Sequence, residues 1–177
     1  MGVEFHPQGA LLIIDMLNDF IDDGGALVVP GARRIVPRVR QLLEAARERG
    51  TAVVFVTDHH SEDDQEFRYW PAHAVAGTWG AEVIPELAPL PGEHVVRKRR
   101  YSAFFGTDLD LYLREHGICK LYLAGVLTNI CVYATALDAA MRLYQVAVFR
   151  DAVASLSEET DAFIFRQLAE VLQAELI

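Results

Sequence analysis

The chain alternates between short runs that are nearly all apolar and longer stretches in which apolar residues recur at three-and-four spacing. ALLIID at 10–15 is apolar up to a closing acid. GARRIVPRVRQLLEAARERG at 31–50 puts Ile35, Val39, Leu42 and Ala46 on one helical face, with Gly50 as its stop. Pro37 fits such a helix only in the first turn, where its missing N–H has no partner to lose. TAVVFVTD at 51–58, HVVRK at 94–98, KLYLAGV at 120–126 and QVAVFRD at 145–151 read as further strands, and the closing AELI as a sixth, at an edge. Three more helices are predicted. TDLDLYLREHG at 107–117 has Thr107 as N-cap and Gly117 beyond its end. A second opens at Cys131, with Val132, Ala136, Ala139 and Leu143 on one face. SEETDAFIFRQLAEVLQ at 157–173 carries acids in its first turn, where the helix dipole favours them. The polar, aromatic segment 59–93, with several Pro and Gly, is too long for a plain connection and reads as functional loops.

Strands that are apolar on both faces, alternating with helices, predict a mostly parallel sheet of about six strands covered on both sides. The expected fold is therefore a doubly wound, Rossmann-like α/β domain occupying residues 1–177. Ligands of open α/β sheets bind at the carboxyl ends of the strands. Those ends carry Asp15, Asp58, Lys98, the loop to Cys131, and Asp151. A single polar residue there usually caps the next helix, but an acid, a lysine and a cysteine on one rim make a chemical set. A cysteine attacks as thiolate, and a helix start or a nearby cation lowers its pKa. Cys131 opens a helix, Lys98 is the available cation, and Asp15 can accept the thiol proton. There is no Gly-x-Ser-x-Gly elbow and no histidine at a strand end to serve as base. Asp15, Lys98 and Cys131 are the most economical triad the rim offers.

Composition narrows the picture further. With 177 residues, 52% of them hydrophobic, the chain can build one well-cored domain. No apolar run approaches the roughly 18 residues of a membrane span. MGVEFHPQG lacks the basic region of a secretory signal. Two cysteines, at 119 and 131, give no disulfide framework, so the expectation is a cytoplasmic protein with Cys119 as a passive core thiol. A net charge of −9 argues against a nucleic-acid partner. The run RKRR at 97–100 reads as a solvated face apart from Lys98, because alternation sends Arg97 and Arg99 to the opposite side. Within TDHHSEDDQEFRYWPAH, Asp58, His60 and His73 are a carboxylate and two imidazoles in sixteen residues. Composition alone favours a polar loop with exposed histidines over a metal site. Phe20, Trp70 and Tyr101 flank these residues and suit the walls of a site for a flat ring, with core packing as the rival for Phe20.

LLIIDMLNDFIDDGGAL, KRRYSAFFGTDLDLYLRE and LAGVLTNICVYATALDA, in that order over nearly the whole chain, resemble the isochorismatase-like cysteine hydrolases, specifically the nicotinamidases and pyrazinamidases. The resemblance implies that Asp15, Lys98 and Cys131 are catalytic. It also implies a cis peptide at Val126–Leu127 and an oxyanion hole formed by the amides of Leu127 and Cys131. A divalent metal is implied on Asp58, His60, His73 and a further ligand. Glu66 stands at that further position, with His59 as competitor. Zn²⁺ suits such ligands, with Fe²⁺ or Mn²⁺ as alternatives, and the ion holds the pyridine nitrogen of the substrate. The activity implied is hydrolysis of nicotinamide to nicotinate and ammonia through a cysteine thioester, in NAD salvage. The partner is then a small carboxamide, with neither nucleic acid nor membrane involved, and the family's habit of association allows a homo-oligomer. The rivals are another amidase of the superfamily, acting on a carbamoyl or maleamate-type amide, and a catalytically silent scaffold. Isochorismatase proper fits less well, since several such enzymes lack the cysteine. Asn129 departs from the family pattern, in which an acid is common.

Overall fold

The computed structural model describes residues 4–177. Its strands are β1 (Gly9–Ile14), β2 (Ala52–Asp58), β3 (His94–Lys98), β4 (Lys120–Val126), β5 (Gln145–Ala154) and β6 (Glu175–Leu176). The α-helices are α1 (Asn18–Ile21), α2 (Val36–Glu48), α3 (Leu109–Glu115), α4 (Tyr133–Met141) and α5 (Glu158–Glu170). The strands form one sheet in the order β3-β2-β1-β4-β5-β6, and every pairing is parallel.

The all-apolar runs are explained by burial on both faces. In β1, Leu11 and Ile13 pack with Val39, Leu42 and Leu43 of α2 on one side. Ala10, Leu12 and Ile14 pack on the other with Leu113 of α3, Ala136 and Ala139 of α4, and Leu168 of α5. A period-two strand with no polar face is what two apolar layers require. The strand order reverses between β1 and β4, and this is the switch point at which the carboxyl ends of adjacent strands diverge and leave a crevice.

Gly125, at the end of β4, has a φ of 120°, and a Cβ there would overlap the backbone carbonyl of Ile14. Only glycine lets β4 approach β1 this closely behind the crevice. Gly125→Ala is expected to cost about 2–4 kcal/mol in a urea titration, as strained, overpacked positions do.

The structure corrects the sequence reading at several points. The helix after β4 does not begin at Cys131. Residues Thr128–Val132 form a wider π-type turn, and α4 proper follows it. It stops at Met141, and Leu143 is not on its buried face but 91% exposed, at a φ of 67°. The N–H groups of Leu143 and Tyr144 donate to the carbonyls of Ala140 and Ala139, so Leu143 fills the left-handed position of a Schellman closure that glycine usually takes. Asp151 is not at a strand end. β5 runs on through buried Ala152, Val153 and Ala154, and Asp151 pairs with Arg38 Nε at 2.9 Å. Asp108 rather than Thr107 holds the N-cap of α3, although the Thr107 hydroxyl still accepts the N–H of Leu109 at 3.3 Å.

Candidate active site

Three strand ends meet at the switch point. Asp15 follows β1 with a φ of 51°, its N–H donating to the Val56 carbonyl at 2.8 Å. Its Oδ1 accepts the N–H of Asp58, at the end of β2, at 2.8 Å. Lys98, the last residue of β3, is only 1% exposed. Its Nζ lies 2.8 Å from Asp15 Oδ2, 2.5 Å from Asp58 Oδ1 and 3.4 Å from Cys131 Sγ. Asp15 Oδ2, paired with the Lys98 ammonium and close to Cys131 in the same buried cluster, is placed to accept a proton. Asp15, Asp58 and Cys131 bring ligand-type atoms within 4.8 Å of one another. The Val126–Leu127 peptide that leads into the cysteine turn is cis.

One lysine between two carboxylates leaves this buried cluster with a negative charge before the thiol ionises. Burial, and then Asp58, push Asp15 up to about 6. Burial works against the Lys98 charge, but Asp15 and Asp58 overcome it and hold the ammonium well above its usual range. Burial pushes the Cys131 thiol up, Lys98 alone pulls it down, and Asp15 and Asp58 add to the rise. The sequence expectation of a thiolate favoured by a helix start is therefore corrected. Those directions disfavour a standing thiolate, and Asp15 lies in the same cluster as an acceptor for the thiol proton.

Beside this cluster, Asp58, His60 and His73 also place ligand-type atoms within 4.8 Å of one another, all three buried. His73 Nδ1 lies 2.7 Å from the Pro71 carbonyl, and His60 Nδ1 lies 3.1 Å from Asp64 Oδ2. Both partners can only accept, so both Nδ1 atoms carry the hydrogen, and in the neutral rings both Nε2 atoms present lone pairs. These lone pairs face Asp58 Oδ2, at 3.8 Å from His60 and 3.9 Å from His73. His60 Nε2 is a buried polar atom with no hydrogen-bond partner. Two converging imidazole lone pairs and a carboxylate oxygen, one of them orphaned, fit a divalent cation. Glu66 lines the same cavity but stands outside this close triplet, its Oε2 3.7 Å from Arg100. His59 lies elsewhere, lining a separate groove with Thr57 and Arg97.

The cavity over the cluster has about 490 Å³ of space including its mouth. Phe20, Trp70 and Tyr101 line it, with Leu27, Val28, Val29, Ile130 and Leu156, while Cys131, Leu127, Asp58, Glu66 and His73 supply its reactive and polar wall. All three aromatics named from the sequence are therefore together. Trp70 Nε1 donates to the Tyr101 hydroxyl at 3.0 Å, and the Phe20 ring sits 5.4 Å from that of His73. Phe20 lines the cavity and is also part of the core.

Several residues here carried no role in the sequence reading. Asn18 Nδ2 donates to the Trp79 carbonyl at 2.8 Å. Asp19 Oδ2 accepts the N–H of Ala74, next to His73, at 2.7 Å, and its Oδ1 accepts the N–H of Ala26 at 2.9 Å. The Asn-Asp-Phe run after Asp15 thus ties α1 to the loop bearing His73, and its packing of polar residues so close to a candidate base was the available signal. Arg99 is exposed, as alternation predicts, but it is not free of partners. Just beyond the end of β3, it reaches Asp64.

A doubly wound sheet whose switch-point crevice holds a buried cysteine, lysine and aspartate defines a class of α/β hydrolase. The Isochorismatase domain model matches residues 9–176, and the chain belongs to the isochorismatase family, a family of amidohydrolases. It is similar to the pyrazinamidase/nicotinamidase of Streptococcus mutans UA159, with 38% identity and a TM-score of 0.91 over 96% of this chain and 99% of that one. The pyrazinamidase of Pyrococcus horikoshii in complex with zinc is 35% identical, with a TM-score of 0.89 over 97% and 99% of the two chains. The N-carbamoylsarcosine amidase of Thermoplasma acidophilum is 38% identical, with a TM-score of 0.86 over 95% and 94%. Among the described residues no helix is long and apolar enough to cross a membrane.

Proposed function

We propose that the protein is a cytoplasmic nicotinamidase, a single domain that hydrolyses nicotinamide to nicotinate and ammonia. The observation that carries this is one cavity lined at once by Cys131, by Asp58 and His73 of the cation-type cluster, and by three aromatic side chains. A flat ring between Phe20, Trp70 and Tyr101 can present its ring nitrogen to one cluster and its carboxamide to the other. Asp58, His60 and His73, with Glu66 as the further ligand, would hold the ion. When bound, the ion supplies a Lewis-acid anchor for the ring nitrogen; zinc in the Pyrococcus horikoshii relative supports that identity.

The chemistry follows from the chain's own groups. Asp15 Oδ2 takes the Cys131 proton as Sγ attacks the carboxamide carbon, with Lys98 Nζ offsetting the charge that collects on Asp15 and Asp58. The backbone amides of Leu127 and Cys131 receive the oxyanion. Asp15 returns the proton to the amide nitrogen, the C–N bond breaks and ammonia leaves. Asp15 then takes a proton from water, whose oxygen attacks the thioester. The C–S bond breaks, the proton on Asp15 returns to Sγ, and nicotinic acid leaves, giving its remaining proton to solvent to become nicotinate.

The similarity to the N-carbamoylsarcosine amidase favours a second reading, an amidase for a carboxylate-bearing carbamoyl compound. The cavity opposes it: among the described residues no arginine or lysine lines it, while Asp58 and Glu66 do. A substrate carboxylate would find no cationic side chain on the cavity wall to pair with. Ammonia release from a panel of nicotinamide, pyrazinamide, N-carbamoylsarcosine and maleamate separates the readings. Nicotinamide and pyrazinamide are expected to be hydrolysed at rates at least about 100-fold above the two acids, a gap of about 2.7 kcal/mol. Release from the acids alone would overturn the assignment. Removal of metal by a chelator is expected to abolish turnover and added Zn²⁺ to restore it; full activity in the chelated protein would rule out the metal.

A further inference from the structure

The run Arg97–Lys98–Arg99–Arg100 closes β3, and only Lys98 enters the proposed reaction. Arg99 and Arg100 both turn back onto one carboxylate. Arg99 Nε donates to Asp64 Oδ2 at 2.9 Å and Arg100 to Asp64 Oδ1 at 3.0 Å. The N–H of Glu66 adds a bond to Oδ1 at 3.0 Å, and His60 Nδ1 adds one to Oδ2 at 3.1 Å. Asp64 is 4% exposed, yet four donors hold it. Charge-assisted bonds from two arginines to one buried acid keep that acid charged and fixed.

We infer that Asp64, clamped by Arg99 and Arg100, is a positioning residue that fixes the His60 ring with Nδ1 protonated and Nε2 aimed at the cation cluster, and so sets the affinity of that cluster for a divalent ion. A carboxylate behind a ligating imidazole locks the tautomer, orients the ring and strengthens the ligand. The two imidazoles are unequal in this respect. His73 is backed by the neutral Pro71 carbonyl, whereas His60 is backed by an anion whose own geometry is fixed by two cations. His60 is then the anchoring ligand of the pair. The same strand end serves both clusters, Lys98 holding the acids beside the cysteine and its two neighbours holding the acid behind the imidazole.

This inference rests on the cluster binding a divalent ion, and its test separates the two. Zn²⁺ affinity is measured by competition against a chromophoric chelator for the wild type, His60→Ala, Asp64→Ala and the double variant Arg99→Gln/Arg100→Gln. His60→Ala is expected to lose binding outright. Asp64→Ala is expected to bind Zn²⁺ about 10–100-fold more weakly, and the arginine double variant to fall between it and the wild type. In the zinc form of the wild type, nitrogen-edited NMR should show a slowly exchanging Nδ1–H on His60, and it should be lost in Asp64→Ala. A role confined to folding would lower the melting temperature without moving that resonance in the arginine variant, whose replaced side chains are half-exposed. Wild-type protein that binds no Zn²⁺ removes the metal reading itself. Wild-type binding with Asp64→Ala and the arginine variant both within about threefold of it overturns the inference alone. Should Asp64→Ala not fold, the arginine variant decides by the same threefold criterion.

Discussion

Cys131→Ala is expected to lower kcat/KM for nicotinamide by about 10⁴-fold or more, because removing the nucleophile of a covalent mechanism eliminates its pathway rather than weakening a contact. The fold should survive, since the side chain is small, sits in a turn and leaves the Asp15–Lys98–Asp58 cluster in place. Steady-state ammonia release with circular dichroism on the same sample checks both. Substantial activity in a folded Cys131→Ala protein would mean that water, not sulfur, attacks the amide. Cys131→Ser is expected to be nearly as inactive, because a hydroxyl beside one aspartate is far harder to ionise than a thiol.

Lys98→Met is expected to lose activity and also about 3–5 kcal/mol of stability, the cost of breaking a buried ion pair by removing one partner. The lysine is the cation between Asp15 and Asp58, and methionine of similar length would leave two carboxylates facing each other in the protein interior. The loss should be read by urea titration of metal-free protein, since an ion on Asp58 would offset part of the charge. Asp15→Asn added to Lys98→Met removes one of the two stranded charges and is expected to recover roughly half of the loss. A Lys98→Met protein within about 1 kcal/mol of the wild type would show that the carboxylates do not depend on the lysine for their burial.

Much of this was legible in the chain because the sheet is buried on both faces. A strand with apolar residues at every position leaves its boundary to the first charged side chain, so Asp15 and Asp58 marked strand ends, while Lys98 stood out as the charged residue after Arg97 at the close of HVVRK. Asp151 broke the rule, since β5 resumes apolar residues after it and the exposed Asp151 pairs with a half-buried Arg38 mid-strand. The Cys131 turn and the exposure of Leu143 were hidden for a different reason. Both are set by how the backbone leaves β4 and ends α4, and side-chain periodicity does not report backbone dihedrals. The cation cluster was half visible: two histidines and an acid could be counted, but composition could not distinguish a solvated loop from a buried one. Asp64 lay in a run of acids and Arg99 in a run of bases, each the usual signature of a wet surface, and only the tertiary contact between them gives either a role. Glu66 came from resemblance, and the structure brings it to the cavity wall with its carboxylate near Arg100.

The central claim is that nicotinamide becomes a thioester on Cys131. Wild-type protein mixed with saturating nicotinamide, quenched in acid within a single turnover and analysed by intact and peptide mass spectrometry, tests it directly. A nicotinoyl group should appear on the peptide bearing Cys131 and decay as nicotinate forms, with no adduct in Cys131→Ala. Steady release of ammonia with no adduct at any time, or an adduct on Cys119 instead, would contradict it.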